Sequence, residues 1–129
     1  ADNPVLGHIT TFGGHPVCCA AGLAAMKVLL DEKLMDTVKE KEALFLSILK
    51  HEKIKAVRSF GLWMAVEFDS FETNKKMIDS IIANHPTGVL SDWFLFASNC
   101  LRISPPLTIS KEEIIQACGI IVEILNAET

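Results

Sequence analysis

Lys55-Ala56-Val57-Arg58-Ser59-Phe60-Gly61-Leu62-Trp63-Met64-Ala65-Val66-Glu67-Phe68 is where the hydrophobic period of this chain changes. Leu62, Met64, Val66 and Phe68 alternate with Trp63, Ala65 and Glu67. A period of two puts the first set on one face of a strand. Val57 and Phe60 lead into Gly61, which reads as a bend or bulge ahead of that strand. The flanks keep the other period. Upstream, Leu34, Val38, Phe45, Ile48 and Leu49 recur at helical spacing, with Lys33, Glu40, Lys41 and Lys50 as the wet side. An amphipathic cover helix is therefore expected from about Glu32 to His51. Downstream, Met77, Ile78, Ile81 and Ile82 predict a helix from about Phe71 to Asn84. It must stop there, because His85 precedes Pro86 and is pushed towards extended geometry.

Farther out, Pro16 suits the first position of a helix, where its missing N–H costs nothing. That helix is expected over Pro16 to Leu30. Cys18, Ala20, Ala21, Gly22, Ala24 and Ala25 make it thin and apolar on almost every face, the pattern of a buried helix. Towards the end, Gly88-Val89-Leu90, Phe94-Leu95-Phe96 and Leu101-Arg102-Ile103 read as short strands, the last stopped by Pro105-Pro106. Ser110 and Glu113 form a capping box, after which Ile114, Cys118, Ile121 and Leu125 share one helical face. Helices interrupted by several short strands predict an α+β fold with helices packed on a small, largely antiparallel sheet.

The chain has 129 residues, enough for one domain with a real core. Half of its residues are hydrophobic and its mean hydropathy is +0.33. So apolar a composition at this size predicts faces that another domain or subunit covers, unless one unusually apolar core absorbs them. The net charge of −4 comes without a basic stripe, which argues against nucleic-acid binding. Val17 to Met26, the longest strongly apolar stretch, is too short for a membrane span. The opening residues do not read as a cationic leader. Ala1-Asp2-Asn3-Pro4 instead looks like a connecting segment, as in a fragment or processed product. Cys18, Cys19, Cys100 and Cys118 show neither paired spacing nor a histidine at zinc spacing, so no metal site is expected. A reducing cytoplasm is the simplest setting for them.

Two places could carry chemistry. In Thr10-Thr11-Phe12-Gly13-Gly14-His15-Pro16, two glycines and adjacent hydroxyls sit at a helix N-terminus, where free N–H groups favour an anion. On spacing alone, the simpler reading is that Thr11 and the glycines merely shape and cap a buried helix. Arg102 stands in an apolar strand-like run, where it could snorkel, pair with a structural carboxylate or face a cleft. Its planar fork grips a carboxylate in bidentate fashion, which lysine cannot copy. His8, His15, His51, Glu67, Asp69 and Asp92 offer no defensible catalytic grouping. Trp63 and Trp93 read as core or interface anchors.

Three of these stretches together resemble the C-terminal region of class III aminotransferases, the group that includes ornithine, acetylornithine and 4-aminobutyrate aminotransferases. His8-Ile9-Thr10-Thr11-Phe12-Gly13-Gly14-His15-Pro16 is similar to the family's glycine turn, with its small-residue helix following. Val57-Arg58-Ser59-Phe60-Gly61-Leu62-Trp63-Met64 and Leu101-Arg102-Ile103-Ser104-Pro105-Pro106-Leu107 resemble two further family segments in the same order. The resemblance spans nearly the whole chain. His15 takes a place often held by asparagine, and Ser59 one often held by glycine.

The resemblance implies the small C-terminal domain of a fold-type I pyridoxal-phosphate transferase. Residues 1–15 would be the connecting segment and turn from the large domain, and residues 16–129 the small domain. It implies that Thr11 binds the phosphate of pyridoxal 5'-phosphate across a homodimer interface, and that Arg102 grips a carboxylate of the amino or oxo acid. The implied reaction moves an amino group onto 2-oxoglutarate, from the terminal amine of an ornithine-like, acetylornithine-like or 4-aminobutyrate-like donor. The family's Schiff-base lysine lies upstream of the turn. Only ten residues precede Thr11 here, none of them lysine, and Lys27 and Lys33 do not match it. This chain alone is therefore expected to be inactive and to need the large domain. A related class III mutase or decarboxylase, or a non-catalytic interaction domain, are the alternative expectations.

Overall fold

The computed structural model describes residues 10–83 and 89–127. The chain divides into two compact units, residues 1–35 and residues 36–129. In the first, a turn over residues 11–14 leads into helix α1 (Pro16–Asp31). The helix is where the sequence places it, but none of its residues is buried. Val17, Leu23, Met26 and Leu30 are more than half exposed, and Cys18 and Cys19 are exposed too. A helix that is thin and apolar all round cannot bury itself; it needs a partner surface.

The chain departs from expectation where the first unit ends. Instead of one helix from Glu32 to His51, a 3-10 turn (Leu34–Thr37) precedes helix α2 (Val38–Ile48). The break is at Lys33, whose φ of 51° is left-handed. Glu32 N–H donates to Val28 O and Lys33 N–H to Leu30 O, so Lys33 closes α1 as a left-handed C-terminal cap. Glycine usually announces such a cap, and here there is none to read.

Strands β1 (Ala56–Phe60) and β2 (Trp63–Glu67) form a hairpin joined through Gly61-Leu62. Gly61 is thus a hairpin turn residue rather than a bulge before a single strand. Its φ of 63° at the first central position suits a two-residue hairpin loop. A Cβ there would meet Val38 Cγ1 at 2.8 Å. Helix α3 (Phe71–Ala83) follows, then β3 (Asp92–Phe94), β4 (Ala97–Ile103) and helix α4 (Lys111–Ala127). The expected strand at 88–90 does not form at Val89 and Leu90, and Gly88 lies outside the described residues. Leu95 and Phe96, expected in a strand, make the β3–β4 turn, because β4 starts earlier than its apolar run suggests.

The sheet order is β1-β2-β4-β3 with every pair antiparallel, so the α+β expectation is met. Helices pack on one face of it. Met64, Val66 and Leu101 point into that face and meet Phe45 of α2, Met77 and Ile81 of α3, and Ile114, Cys118 and Leu125 of α4. The capping box at α4 is reciprocal: Glu113 N–H donates to Ser110 Oγ at 3.1 Å and Ser110 N–H to Glu113 Oε2 at 2.8 Å.

Glu42 is a buried carboxylate on α2 that sequence periodicity did not single out. Its Oε1 accepts the Gly61 amide at 3.0 Å and its Oε2 the Lys39 ammonium at 3.1 Å. It thereby ties the hairpin turn to α2. The Ser59 hydroxyl, then Lys39 and the Gly61 amide, hold its carboxyl below the usual range. A carboxyl lowered by folding stabilises the native state above its unfolded pKa, and that contribution fades as pH falls through the folded pKa. We expect Glu42→Gln to lower the urea midpoint near neutral pH and to shrink its decline on acidification. Glu40, lowered by Lys111, Glu113, lowered by Ser110, and Glu72, lowered by its own backbone amide and Ser70, contribute to the remaining slope. A pH profile of the midpoint identical to the parent's would exclude the clamp.

Candidate functional site

In the first unit, the glycine turn is shaped tightly. Gly14 has φ 77°, and a Cβ on Gly13 would overlap Thr10 Oγ1 at 1.9 Å. His15 N–H donates to Phe12 O at 3.1 Å, and Val17 N–H donates to His15 Nδ1 at 3.3 Å. His15 therefore caps α1 with its ring, doing what an asparagine side chain would do there. With Pro16 lacking an N–H and Val17 already bonded, this helix end has fewer donors for an anion than its sequence promised. The Thr11 hydroxyl is exposed and makes no hydrogen bond among the described residues.

The second candidate lies in the other unit. Strand alternation gives the sheet an open face opposite the helices. Its central row runs Arg58, Ala65, Arg102, Asp92 across all four strands. The adjoining row is Ala56, Glu67, Cys100. Arg58 is ion-paired to Glu67, and its Nη2 also lies 3.4 Å from Cys100 Sγ, which is buried beneath it. The Glu67 carboxylate raises the Arg58 pKa further. Arg102 differs. It is exposed, and no carboxylate among the described residues pairs with it. Asp92 is its direct cross-strand neighbour, yet Asp92 Oδ1 accepts the Trp93 amide at 2.7 Å. Of the three local roles open to Arg102, the structural ion pair is thus absent among the described residues.

A shallow depression on this face is walled by Arg58, Ala65 and Arg102 below and by Phe94, Leu95 and Phe96 at one side. Trp63 is 62% exposed on the same face, its ring 6.2 Å from that of Phe94. Trp93 is turned the other way, half-buried with its ring 5.3 Å from that of Phe71. A guanidinium without a partner beside apolar walls can take a carboxylate and exclude water from its flank. The remaining candidates are structural. His51 bridges to Asn126 at 3.2 Å, Asp69 pairs with Lys55, and His8 lies outside the described residues. Burial pushes the Cys118 thiol up to about 12, so it stays a neutral packing group. Among the described residues there is no cluster of three metal-capable side chains, and no helix is long and apolar enough to cross a membrane.

The sequence profile of the aminotransferase class-III family matches residues 2–125. This chain belongs to the class-III aminotransferases. It is 32% identical over 124 residues to the acetylornithine aminotransferase of Methanothermobacter thermautotrophicus, covering 92% of this chain and 30% of that protein. With the LysW-aminoadipate semialdehyde transaminase of Deinococcus radiodurans the identity is 35%, over 95% of this chain and 28% of that one. Among solved structures, the Toxoplasma gondii ornithine aminotransferase superposes with a TM-score of 0.77 at 34% identity. That match covers 93% of this chain and 29% of the other, and pyridoxal phosphate partly occupies that enzyme's active site. The chain thus spans about three tenths of the length of these class-III relatives. In the sequence Arg58 stands out only as part of a motif, and nothing local gives Glu67 a role. The signal that links them is register: each is two residues from a member of the other's cross-strand pair.

Proposed function

We propose that this chain is the C-terminal part of a pyridoxal-phosphate-dependent aminotransferase. The whole enzyme would transfer the terminal amine of an ornithine-like, acetylornithine-like or 4-aminobutyrate-like donor to 2-oxoglutarate. Residues 1–15 lead in from the large domain, and the small domain runs from residue 16. The observation that carries this reading is the exposed Arg102 guanidinium, free of any carboxylate among the described residues on a face walled by aromatic side chains. Its family membership supplies the reaction class.

Pyridoxal phosphate, when bound, supplies the carbonyl that accepts the amino group and the ring that withdraws electrons from the reacting carbon. This chain's share is binding and orientation. Arg102 receives the substrate carboxylate with two parallel N–H donors and so fixes which end of the molecule points at the cofactor. Thr11 fits one oxygen of the cofactor phosphate: it offers a single exposed hydroxyl on a turn that glycines keep tight. One hydroxyl is an incomplete phosphate site. The other donors, and the lysine that the family joins to the cofactor, come from the large domain, with Thr11 serving the partner subunit of a homodimer. The 129-residue chain by itself is therefore inactive, and a cytoplasmic setting suits its free thiols.

The test is an amine-donor screen on the complete enzyme with 2-oxoglutarate as acceptor, following glutamate. Glutamate formed from a terminal-amine donor supports the reading. None from any donor, with pyridoxal phosphate bound, rejects it. For the cofactor role, Thr11→Val should weaken pyridoxal phosphate binding roughly tenfold, as expected when a hydrogen bond to a charged group is lost. Dialysis followed by absorbance of the retained cofactor measures this, and equal retention removes Thr11 from the site.

A further inference from the structure

Glu67 occupies an unusual place on the open face. Its direct neighbours are Ala56 on β1 and Cys100 on β4, neither of which carries charge that would engage it. One diagonal step away on β1 is Arg58, and one diagonal step away on β4 is Arg102. Diagonal neighbours on one sheet face are about 7–8 Å apart, within reach of long side chains. A single carboxylate therefore has two guanidinium groups available, with only Ala65 between them. It is bound to Arg58. The second nitrogen of the same guanidinium rests on Cys100 Sγ, which holds the arginine down beside Glu67.

We propose that Arg58 is a positioning residue: by holding Glu67 it keeps that carboxylate away from Arg102 and leaves Arg102 open to the substrate carboxylate. This rests on Arg102 being the carboxylate clamp. Without Arg58, Glu67 becomes an uncompensated carboxylate one diagonal step from a guanidinium that has no carboxylate partner among the described residues, and the two close into an ion pair. The oxo acid then has to displace an internal competitor. Asp92 does not take over the competitor's role in the native protein, because the Trp93 amide holds one of its oxygens.

The experiment uses the complete enzyme, pyridoxal phosphate loaded, with saturating amino donor and 2-oxoglutarate varied. Arg58→Met should raise the KM for 2-oxoglutarate by about threefold to tenfold with a much smaller change in kcat, as competition for a binding group requires. Arg58→Met combined with Glu67→Gln should return KM to within about twofold of the parent value, because the competitor is gone. Arg58→Lys, which keeps a cation against Glu67, should also stay within about twofold. If Arg58→Met does not fold, Arg58→Gln carries the same expectation. An unchanged KM in the single variant, or a double variant as impaired as the single, overturns the proposal; the second result would mean that Arg58 acts only through packing. Arg102→Lys, run alongside, separates the two readings. If it raises KM while Arg58→Met does not, only the positioning role fails. If it leaves KM unchanged, the clamp fails and the positioning role with it.

Discussion

Replacing Arg102 by lysine in the complete enzyme should raise the KM for 2-oxoglutarate by roughly 10- to 100-fold, the range expected when one charge-assisted hydrogen bond is lost. Arginine presents two N–H groups in one plane at the spacing of two carboxylate oxygens, whereas the lysine ammonium is a compact point charge that makes one strong contact. Charge is therefore conserved and geometry is not, which makes the substitution a test of bidentate binding rather than of attraction. Stability should hardly move, because the Arg102 side chain is exposed and has no ion pair to lose among the described residues. Arg102→Met should exceed the lysine variant by removing the charge too. Steady-state kinetics on both variants, beside their thermal midpoints, settle the matter. Unaltered kinetics would leave Arg102 as a solubilising residue on a strand.

Phe45→Ala is expected to cost the second unit about 3–5 kcal/mol, the range for deleting a buried aromatic side chain. Phe45 is 2% exposed and sits in the cluster that joins α2 to the sheet and to α4. Its neighbours in that cluster are themselves core residues, so relaxation into the space is limited to the side where Phe45 lines a depression with Leu90 and Arg102. Domains of this size are stable by about 5–15 kcal/mol, so the loss would leave little margin. Trp63 and Trp93 both belong to this unit, so tryptophan fluorescence during urea titration reports on it. A shift worth less than about 1 kcal/mol would mean that α2 is only loosely attached.

Much of the fold is local and so could be read in advance. The alternation of Leu62, Met64, Val66 and Phe68 does send one set inward. The Ser110–Glu113 box and the face of Ile114, Cys118, Ile121 and Leu125 depend on residues three or four apart. Misreadings fall where local signals are absent or shared. Lys33 adopts a left-handed cap without glycine, and the apolar Leu95-Phe96 pair makes a turn that looks like a strand. The α1 helix reads as buried, yet within this chain none of its residues is, because burial depends on a partner surface and composition only requests one.

The sites divide in the same way. Thr11 in its glycine turn and Arg102 before its prolines were visible as residue types suited to anions, because turn chemistry and guanidinium geometry travel with the sequence. Which carboxylate pairs with which arginine was not visible. That depends on β1, β2 and β4 meeting in one register, which places Arg58, Ala65 and Arg102 in line although Arg102 is encoded far downstream. Slipping one strand by a single residue would turn Arg102 to the opposite face, so register alone decides whether its charge faces the open side.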